Sequence, residues 1–381
     1  MDTDSNTKIS FKIIKGKDLL LNLKYDWDDL YSRAYNSHGF LSYPWLSSFL
    51  KKNEYSGIPI GFTMWDNKKL IAVLFLQIKN YLGIKYATPL GHGEAFFWGI
   101  LHDFSDQSYY RLFSTAFFKY LKLNMLYIDD LYSKDKLTSQ FIDELRKQKL
   151  KVKFQKRDVC LSINLKDSFE DFYNERKTKK QQKEIEKKIS KVNKTCDAKI
   201  EKYRGIDIDL NILERLCKIQ TKSWLIQRGI KTLRDDFIQT IIRSLIEYDY
   251  ARAWILILNG EDAAFRLGFR SHEVYYSYWT AFDIKFKDLR PGLYLNRFIL
   301  EDCCNEGIKD YEFMHGDGEH KRFWFNEENS IERVIIYRGL IGAIITIPYK
   351  VRWQLSKIVF LRVFINKLRM YRARFSIMKN N

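Results

Sequence analysis

The chain has 381 residues, 46% of them hydrophobic and 16% aromatic, with only five Pro. That is enough to bury two cores, and too apolar for a disordered adaptor. The formal charge of +18 is concentrated: residues 331–381 carry eleven Lys or Arg against one acid, and residues 166–204 thirteen against eight. The remainder is close to balance, which argues against a general avidity for nucleic acid.

From the N-terminus, Met1–Lys8 is polar and lacks the apolar core of a signal segment. The five Cys are odd in number and show no Cys-x-x-Cys spacing, which argues against a disulfide framework or a zinc site. Reduced cysteines and no signal predict a cytoplasmic protein. Phe40–Leu50 mixes aromatic and small residues around Pro44-Trp45. Ile58–Trp65 and Leu70–Lys79 predict a hairpin across Asp66-Asn67. Beyond the loop Pro89–Gly93, a helix is expected near Tyr109–Lys122, a strand at Met125–Ile128, a helix near Leu137–Lys147, and two strands at Leu150–Phe154 and Val159–Ile163. Gly91-His92-Gly93 reads first as a turn, with a loop facing a ligand as the alternative.

Ser168-Phe169-Glu170-Asp171 opens the second half with a helix-starting box. From Glu175 to Lys202 the chain is crowded with Lys, and Ile185, Ile189 and Val192 supply one thin apolar stripe, the pattern of a surface helix with its charges in water. Leu213, Leu216, Gln220 and Trp224 trace a helix that Gly229 could end. Thr232 and Asp235 start another whose core face is Ile238, Ile241, Ile242 and Leu245. Ala253–Leu258 and Ala263–Phe269 flank Asn259-Gly260, which suits a type I′ hairpin turn.

A third strand is expected at Val274–Trp279, and Arg290-Pro291-Gly292 then breaks the chain. Leu293, Leu295, Phe298, Ile299 and Cys303 recur at helical spacing up to Gly307, with Cys303 and Cys304 as buried thiols. A short strand, Lys309–Met314, leads into the polar loop His315–Trp324. Pro presets φ at the first loop, Gly permits close approach, and the helix beginning there offers free N–H groups and a positive dipole end, a setting for phosphate or pyrophosphate. Arg290, Pro291, Gly292 and Leu293 are therefore the candidate cofactor-binding residues. The bland alternative is a Pro-started helix with its Arg in solvent.

The succession Tyr275–Asp283, Arg290-Pro291-Gly292-Leu293-Tyr294-Leu295, Tyr311-Glu312-Phe313-Met314-His315-Gly316-Asp317 and His320-Lys321-Arg322-Phe323-Trp324 resembles the CelD/BcsL-like acetyltransferases of the GNAT superfamily, relatives of the Fem peptidyltransferases. The chain keeps the Pro-Gly loop, the Gly-Asp pair, and Lys321 with Trp324. It departs at Arg290 where a small hydroxyl residue is usual, at Glu312 for Asp, at His315 for Arg and at His320 for Tyr.

The resemblance implies an α/β fold of two tandem GNAT-like domains, each a mixed sheet flanked by helices, at residues 1–165 and 166–338, followed by a basic helical tail at 339–381. It implies acyl transfer from acetyl-CoA or another acyl-CoA to an amine or hydroxyl of a cell-envelope sugar or lipid-linked precursor, without a metal. A Fem-like transfer from aminoacyl-tRNA, or a non-catalytic scaffold in polysaccharide assembly, stands as the alternative.

Direct transfer needs a base for the acceptor and a positive group for the developing oxyanion. Glu312, His315 and Asp317 are the candidate bases, and Lys321 matches the family lysine at the reacting centre. Each has a plain reading beside it: Glu312 facing solvent, Asp317 as a turn residue, His315 bonded to backbone. After a last strand at Ser330–Tyr337, the tail interleaves Trp353, Phe360 and Phe364 with Arg and Lys, and its charges fall all round a helix. Gly339–Tyr349 is apolar but far short of the ~20 residues that span a bilayer. Peripheral contact with the inner membrane face is the expectation, with internal packing as its rival.

Overall fold

The computed structural model describes residues 8–16, 18–51, 57–81, 83–104, 106–132, 136–223, 232–348 and 351. The chain divides into two compact units, the first formed by residues 1–159 with 329–351 and the second containing residues 160–328.

The first unit begins with β1 (Ile9–Lys15), α1 (Asp18–Asn22) and α2 (Lys24–Arg33). The next helix, α3 (Tyr43–Lys51), is buried from Tyr43 to Leu50, the role of the aromatic stretch around Pro44-Trp45. The expected hairpin is β2 (Ile58–Asp66) and β3 (Lys69–Tyr81), with Asn67 in the left-handed region at its turn. Then come β4 (Ile84–Pro89), the two-residue β5 (Leu101–His102), α4 (Gln107–Leu121), β6 (Met125–Tyr132), α5 (Lys136–Lys147) and β7 (Lys151–Asn164). Asp106 caps α4 by accepting from the Ser108 N–H at 2.8 Å. The two short strands expected near residue 155 are one long strand, because Arg157, which reads as part of a polar break, pairs with Asp129 and Asp130 of β6. Phe62, Phe113, Phe117, Phe141, Leu126 and Ile128 are central to the core beneath this sheet.

In the second unit Ser168 caps α6 (Phe169–Arg176) as expected, its hydroxyl accepting from the Asp171 N–H. The Lys-rich run is not one helix. Lys177 leaves the helical path, Thr178 and Gln181 form a capping box that starts α7 (Lys179–Thr195), and after Cys196 the chain becomes β8 (Ala198–Arg204). Ile185, Ile189 and Val192 are the buried stripe of α7. Asp209 caps α8 (Leu210–Thr221). Asp235 rather than Thr232 caps α9 (Asp236–Glu247), accepting from the N–H groups of Phe237 and Ile238. Trp224 and Gly229 lie outside the described residues.

The meander β9 (Ala251–Leu258), β10 (Glu261–Ser271) and β11 (Val274–Phe282) follows. Asn259 and Gly260 both have positive φ, 51° and 77°, as a type I′ turn requires. A 3-10 turn at Ile284–Leu289 leads to α10 (Pro291–Asn305), then β12 (Asp310–His315), the one-turn α11 (Glu319–Arg322), β13 (Glu327–Tyr337) and α12 (Gly339–Ile345).

Both units follow one plan. The sheet order is β1-β2-β3-β4-β6-β13 in the first and β8-β9-β10-β11-β12-β7 in the second. Each has an antiparallel meander, a helix, and a strand returning parallel to the end of the meander: β4 with β6, and β11 with β12. Each sheet is then completed antiparallel by a strand reached from the other half of the sequence. β13 pairs β6 in the first unit, and the Cys160–Asn164 end of β7 pairs β12 in the second. This architecture is two tandem GNAT-like folds. The boundaries expected at 165 and 338 thus shift, since β13 and α12 belong with the first unit; Gly342 of α12 sits against the Asn124 carbonyl and Tyr337. The tail from Arg352 onward lies outside the described residues.

The returning strand gives a test. Ile331, Val334, Ile335 and Ile336 of β13 are completely buried, and each such side chain contributes ~1.5–3 kcal/mol, against a total stability of ~5–15 kcal/mol for a domain. A chain ending at Glu328 is therefore expected to lose the cooperative thermal transition of its first unit, while one ending at Val351 keeps it.

Candidate functional site

The ladder between β11 and β12 is short. It covers only Val274–Tyr276 against Asp310–Glu312, although β11 continues to Phe282 and β12 to His315. Beyond that vertex the two parallel strands part. Met314, with φ 63°, and the shift in register with β7 between Glu312 and His315 bend β12 there. The carboxyl ends of two parting parallel strands are where an open α/β sheet admits a ligand to unpaired backbone. Each strand also runs directly into one of the two loops singled out in the sequence.

At the end of β11, the buried Asp283 caps the 3-10 turn by accepting from the Lys285 N–H at 3.0 Å. Arg290 takes φ 51° and ψ 54°, a left-handed conformation that costs a non-glycine residue energy, and it forms the N-cap of α10 with Pro291 at the first helical position. Pro291 is buried and Leu293 packs against the core, whereas a Cβ added at Gly292 would meet nothing within 4 Å. The backbone at Gly292 is open. Beside this loop runs α7: Tyr294 donates to Asn193 Oδ1 at 2.8 Å, and Lys188, with a smaller part from Arg290 and Lys180, holds the Glu184 carboxyl below its usual range. The Lys residues of α7 do form a largely solvated face, and that face adjoins the α10 N-terminus.

At the end of β12, Lys321 Nζ donates to the carbonyls of Met314 at 3.2 Å and His315 at 2.5 Å. It is thereby fixed at the point where the strand leaves the ladder. Glu312 does not face solvent; it is 4% exposed, and the Cys160 thiol donates to its Oε2 at 3.5 Å. His315 is half-buried at the strand terminus. Asp317 is exposed and bonded to Arg322 at 3.0 Å, which lowers its carboxyl and makes it a weaker base. Glu312, His315 and Lys321 are thus gathered along one strand end, Asp317 points outward, and Trp324 is buried beneath.

Three further side chains were not among the candidate site residues. Lys177 is buried, stacks 4.4 Å over Phe323 and 5.3 Å over Trp324, and donates to the Phe323 carbonyl; burial lowers it to about 8. His320 keeps part of its surface in water, but desolvation of its ring, and then the charges of Arg266 and Lys321, lower it to about 4, so it is neutral at physiological pH. Arg266 is 4% exposed in the middle of β10 and donates to Ser277 Oγ. A charge inside the apolar run Ala263–Phe269 was the signal available for it.

The corresponding vertex of the first unit is built differently. The β4–β6 ladder covers Tyr86–Ala87 against Met125–Leu126, and the pocket beyond it is lined by Phe40, Phe97, Trp98, His92, Asp129 and Asp130. Burial pushes Asp130 up to about 7 against the pull of Arg157. For Asp129 the charges of Arg157 and Arg333 outweigh burial and lower it. Among the described residues no group of His, Cys, Asp and Glu could hold a metal ion, and no helix is long and apolar enough to cross a membrane.

Residues 179–322 match the family model described as an acetyltransferase (GNAT) domain. No curated protein matches the chain. Among solved structures, that of FemX aligns with a TM-score of 0.61 at 13% identity, over 85% of this chain and 98% of that one. The C-terminal domain of a putative lysylphosphatidylglycerol synthetase from Agrobacterium fabrum aligns at 0.53 and 9% identity, over 86% and 95%. L-PGS from Bacillus licheniformis aligns at 0.50 and 11% identity, over 92% and 97%. Such distant likenesses speak to the fold. The chain is a tandem of two GNAT-like folds, and the half that carries the candidate site carries the match to the GNAT acetyltransferase domain.

Proposed function

We propose that the second unit is an acyltransferase of the CelD/BcsL-like kind, which moves an acyl group from acyl-CoA to an amine or hydroxyl of a cell-envelope sugar or lipid-linked precursor. The observation that carries this reading is the parting of β11 and β12, with an open helix N-terminus at the end of one strand and a fixed ammonium group at the end of the other. The donor pyrophosphate would sit on the Gly292 backbone and the α10 dipole, with Arg290 beside it. Its thioester would reach along the cleft toward Lys321.

The acceptor oxygen or nitrogen gives its proton to Glu312 or His315 as it attacks the carbonyl carbon. Lys321 stabilises the oxyanion, and the C–S bond breaks to release the coenzyme thiolate, which takes up a proton. No covalent enzyme intermediate is needed, and the buried Cys303, whose thiol burial raises well above its usual value, supports that economy.

A second reading, transfer from aminoacyl-tRNA, is favoured by one observation: exposed Lys180, Lys183 and Lys187 on α7, the helix that adjoins the donor loop, suit a longer polyanion than coenzyme A. Thermal stabilisation by coenzyme A supports the first donor, and ribonuclease-sensitive activity the second.

Peripheral membrane contact is part of the proposal. Leu340, Ile341 and Ile344 of α12, with Ile347 and Val351, are exposed. Residues 349–381 add nine Lys or Arg and no acid. Basic residues at an anionic surface contribute about 1 kcal/mol each.

Four outcomes check this reading. Gly292→Val, whose new side chain has room in the unliganded protein, is expected to abolish coenzyme A binding in calorimetry at unchanged melting temperature; unchanged affinity removes the donor site from this loop. Lys321→Ala should lower turnover about a hundredfold or more. Glu312→Gln should lower it far more than Asp317→Asn, and the reverse order would return the base to Asp317. In flotation with anionic vesicles at low salt, the full chain should rise and a chain ending at Val351 should rise less; equal flotation assigns the tail to internal packing.

A further inference from the structure

The second unit holds two deeply buried arginines, and they are treated differently. Arg252 donates to the Asp249 carbonyl at 2.8 Å, lies 3.3 Å from the Asp249 carboxylate, and stands 4.0 Å from Glu306. Arg266 has no carboxylate partner among the described residues. Its Nη1 donates to Ser277 Oγ, and its Nε is buried without an acceptor. The undescribed residues of the same unit, 224–231 and 352–381, contain no Asp or Glu, so they cannot supply one. A buried guanidinium with only neutral hydroxyls, those of Ser277 and Tyr311, for company is among the costliest arrangements a core can hold.

The surroundings share one character. Tyr275 is 1% exposed, and its hydroxyl is buried with no partner. Tyr311, fully buried, and the neutral His320 ring also lie within reach of the Arg266 charge. The charge of Lys321 also acts on the His320 ring, adding a second cation to the same neighbourhood. Hydroxyl donors and cations converge, and no anion answers them. The place is also specific: Ser277 is the first β11 residue past the parallel ladder, so the guanidinium lies at the vertex of the cleft. With Nη1 committed to Ser277, the buried Nε–H remains without an acceptor, a donor suited to a carboxylate oxygen.

We propose that Arg266, with the Tyr275 and Ser277 hydroxyls, forms a receptor for a carboxylate carried by one of the reactants. The carboxylate is either the distal group of a dicarboxylic acyl donor or that of an amino-acid-like acceptor. The inference rests on the acyl-transfer reading for its reactants, but the receptor can be tested without coenzyme A.

The test compares wild type with Arg266→Met, which keeps volume and removes the charge. Unliganded Arg266→Met should melt at the same or a higher temperature, because it removes an uncompensated buried charge. A clear fall, or failure to fold, shows that the arginine serves the core and overturns the proposal. Two pairs of probes then report on binding by calorimetry: succinyl-CoA against acetyl-CoA, and alanine against alaninamide. In wild type the carboxylate member of one pair should bind about tenfold or more tighter, with the preference lost in Arg266→Met. Preference in the first pair places the carboxylate on the acyl group, and in the second on the acceptor. If neither pair discriminates while coenzyme A still binds, the receptor is wrong and the donor site stands. If coenzyme A fails to bind but alanine is preferred through Arg266, the receptor stands and the donor reading falls.

Discussion

The shortness of the parallel ladder between β11 and β12 governs the rest of the molecule's chemistry. Three residue pairs hold the strands together and then release them. Had the ladder continued, the backbone groups beyond Tyr276 and Glu312 would be spent on each other, and the loops at Arg290 and His315 would flank a closed sheet. The release is built into β12, where Met314 adopts a left-handed φ and Lys321 ties back to the Met314 and His315 carbonyls. The lysine proposed to act on a substrate is therefore the one that secures the bend. This coupling accounts for a lysine being held by two carbonyls at a site where mobility would blur its aim.

The same device occurs in each unit and is furnished differently. In the first unit the vertex is ringed by aromatic side chains, with Asp129 neutralised by Arg157 and Arg333. In the second the vertex holds Arg266 without an acid, and its rim carries Lys321 and a neutral His320. A duplicated architecture has thus been given opposite electrostatics, one compensated and one left positive. Compensation suits packing, and uncompensated charge at a cleft suits a ligand.

Charge is also distributed by depth. The lysines of α7 stay in water, where they contribute little to stability and much to the local potential. Lys177, one residue before the Thr178 cap, is pulled inward onto Phe323 and Trp324, and its ammonium joins α6 and α7 to the loop that carries Lys321. Seen from the sequence it is one Lys among many; its depth distinguishes it.

Local rules were enough for most elements. The hairpin at Asn259-Gly260, the Ser168 cap, the α9 core face, the Pro291 helix start and the Gly307 stop follow from steric preferences and apolar spacing within a few residues, and sequence states those directly. The motif His-Lys-x-x-Trp drew attention to Lys321, which the structure places at the bend of β12. What lay beyond reach depended on partners distant in the chain. The continuity of β7 through Arg157 required the carboxylates of β6, and the home of β13 required the open edge of β6 some two hundred residues earlier. The burial of Glu312 required Cys160 at its side. The isolation of Arg266 could be recognised only once every acid of its unit had been placed elsewhere. Periodicity reports which face of an element is apolar; which charge meets which, and which meets none, is decided when strands far apart in sequence come to lie side by side.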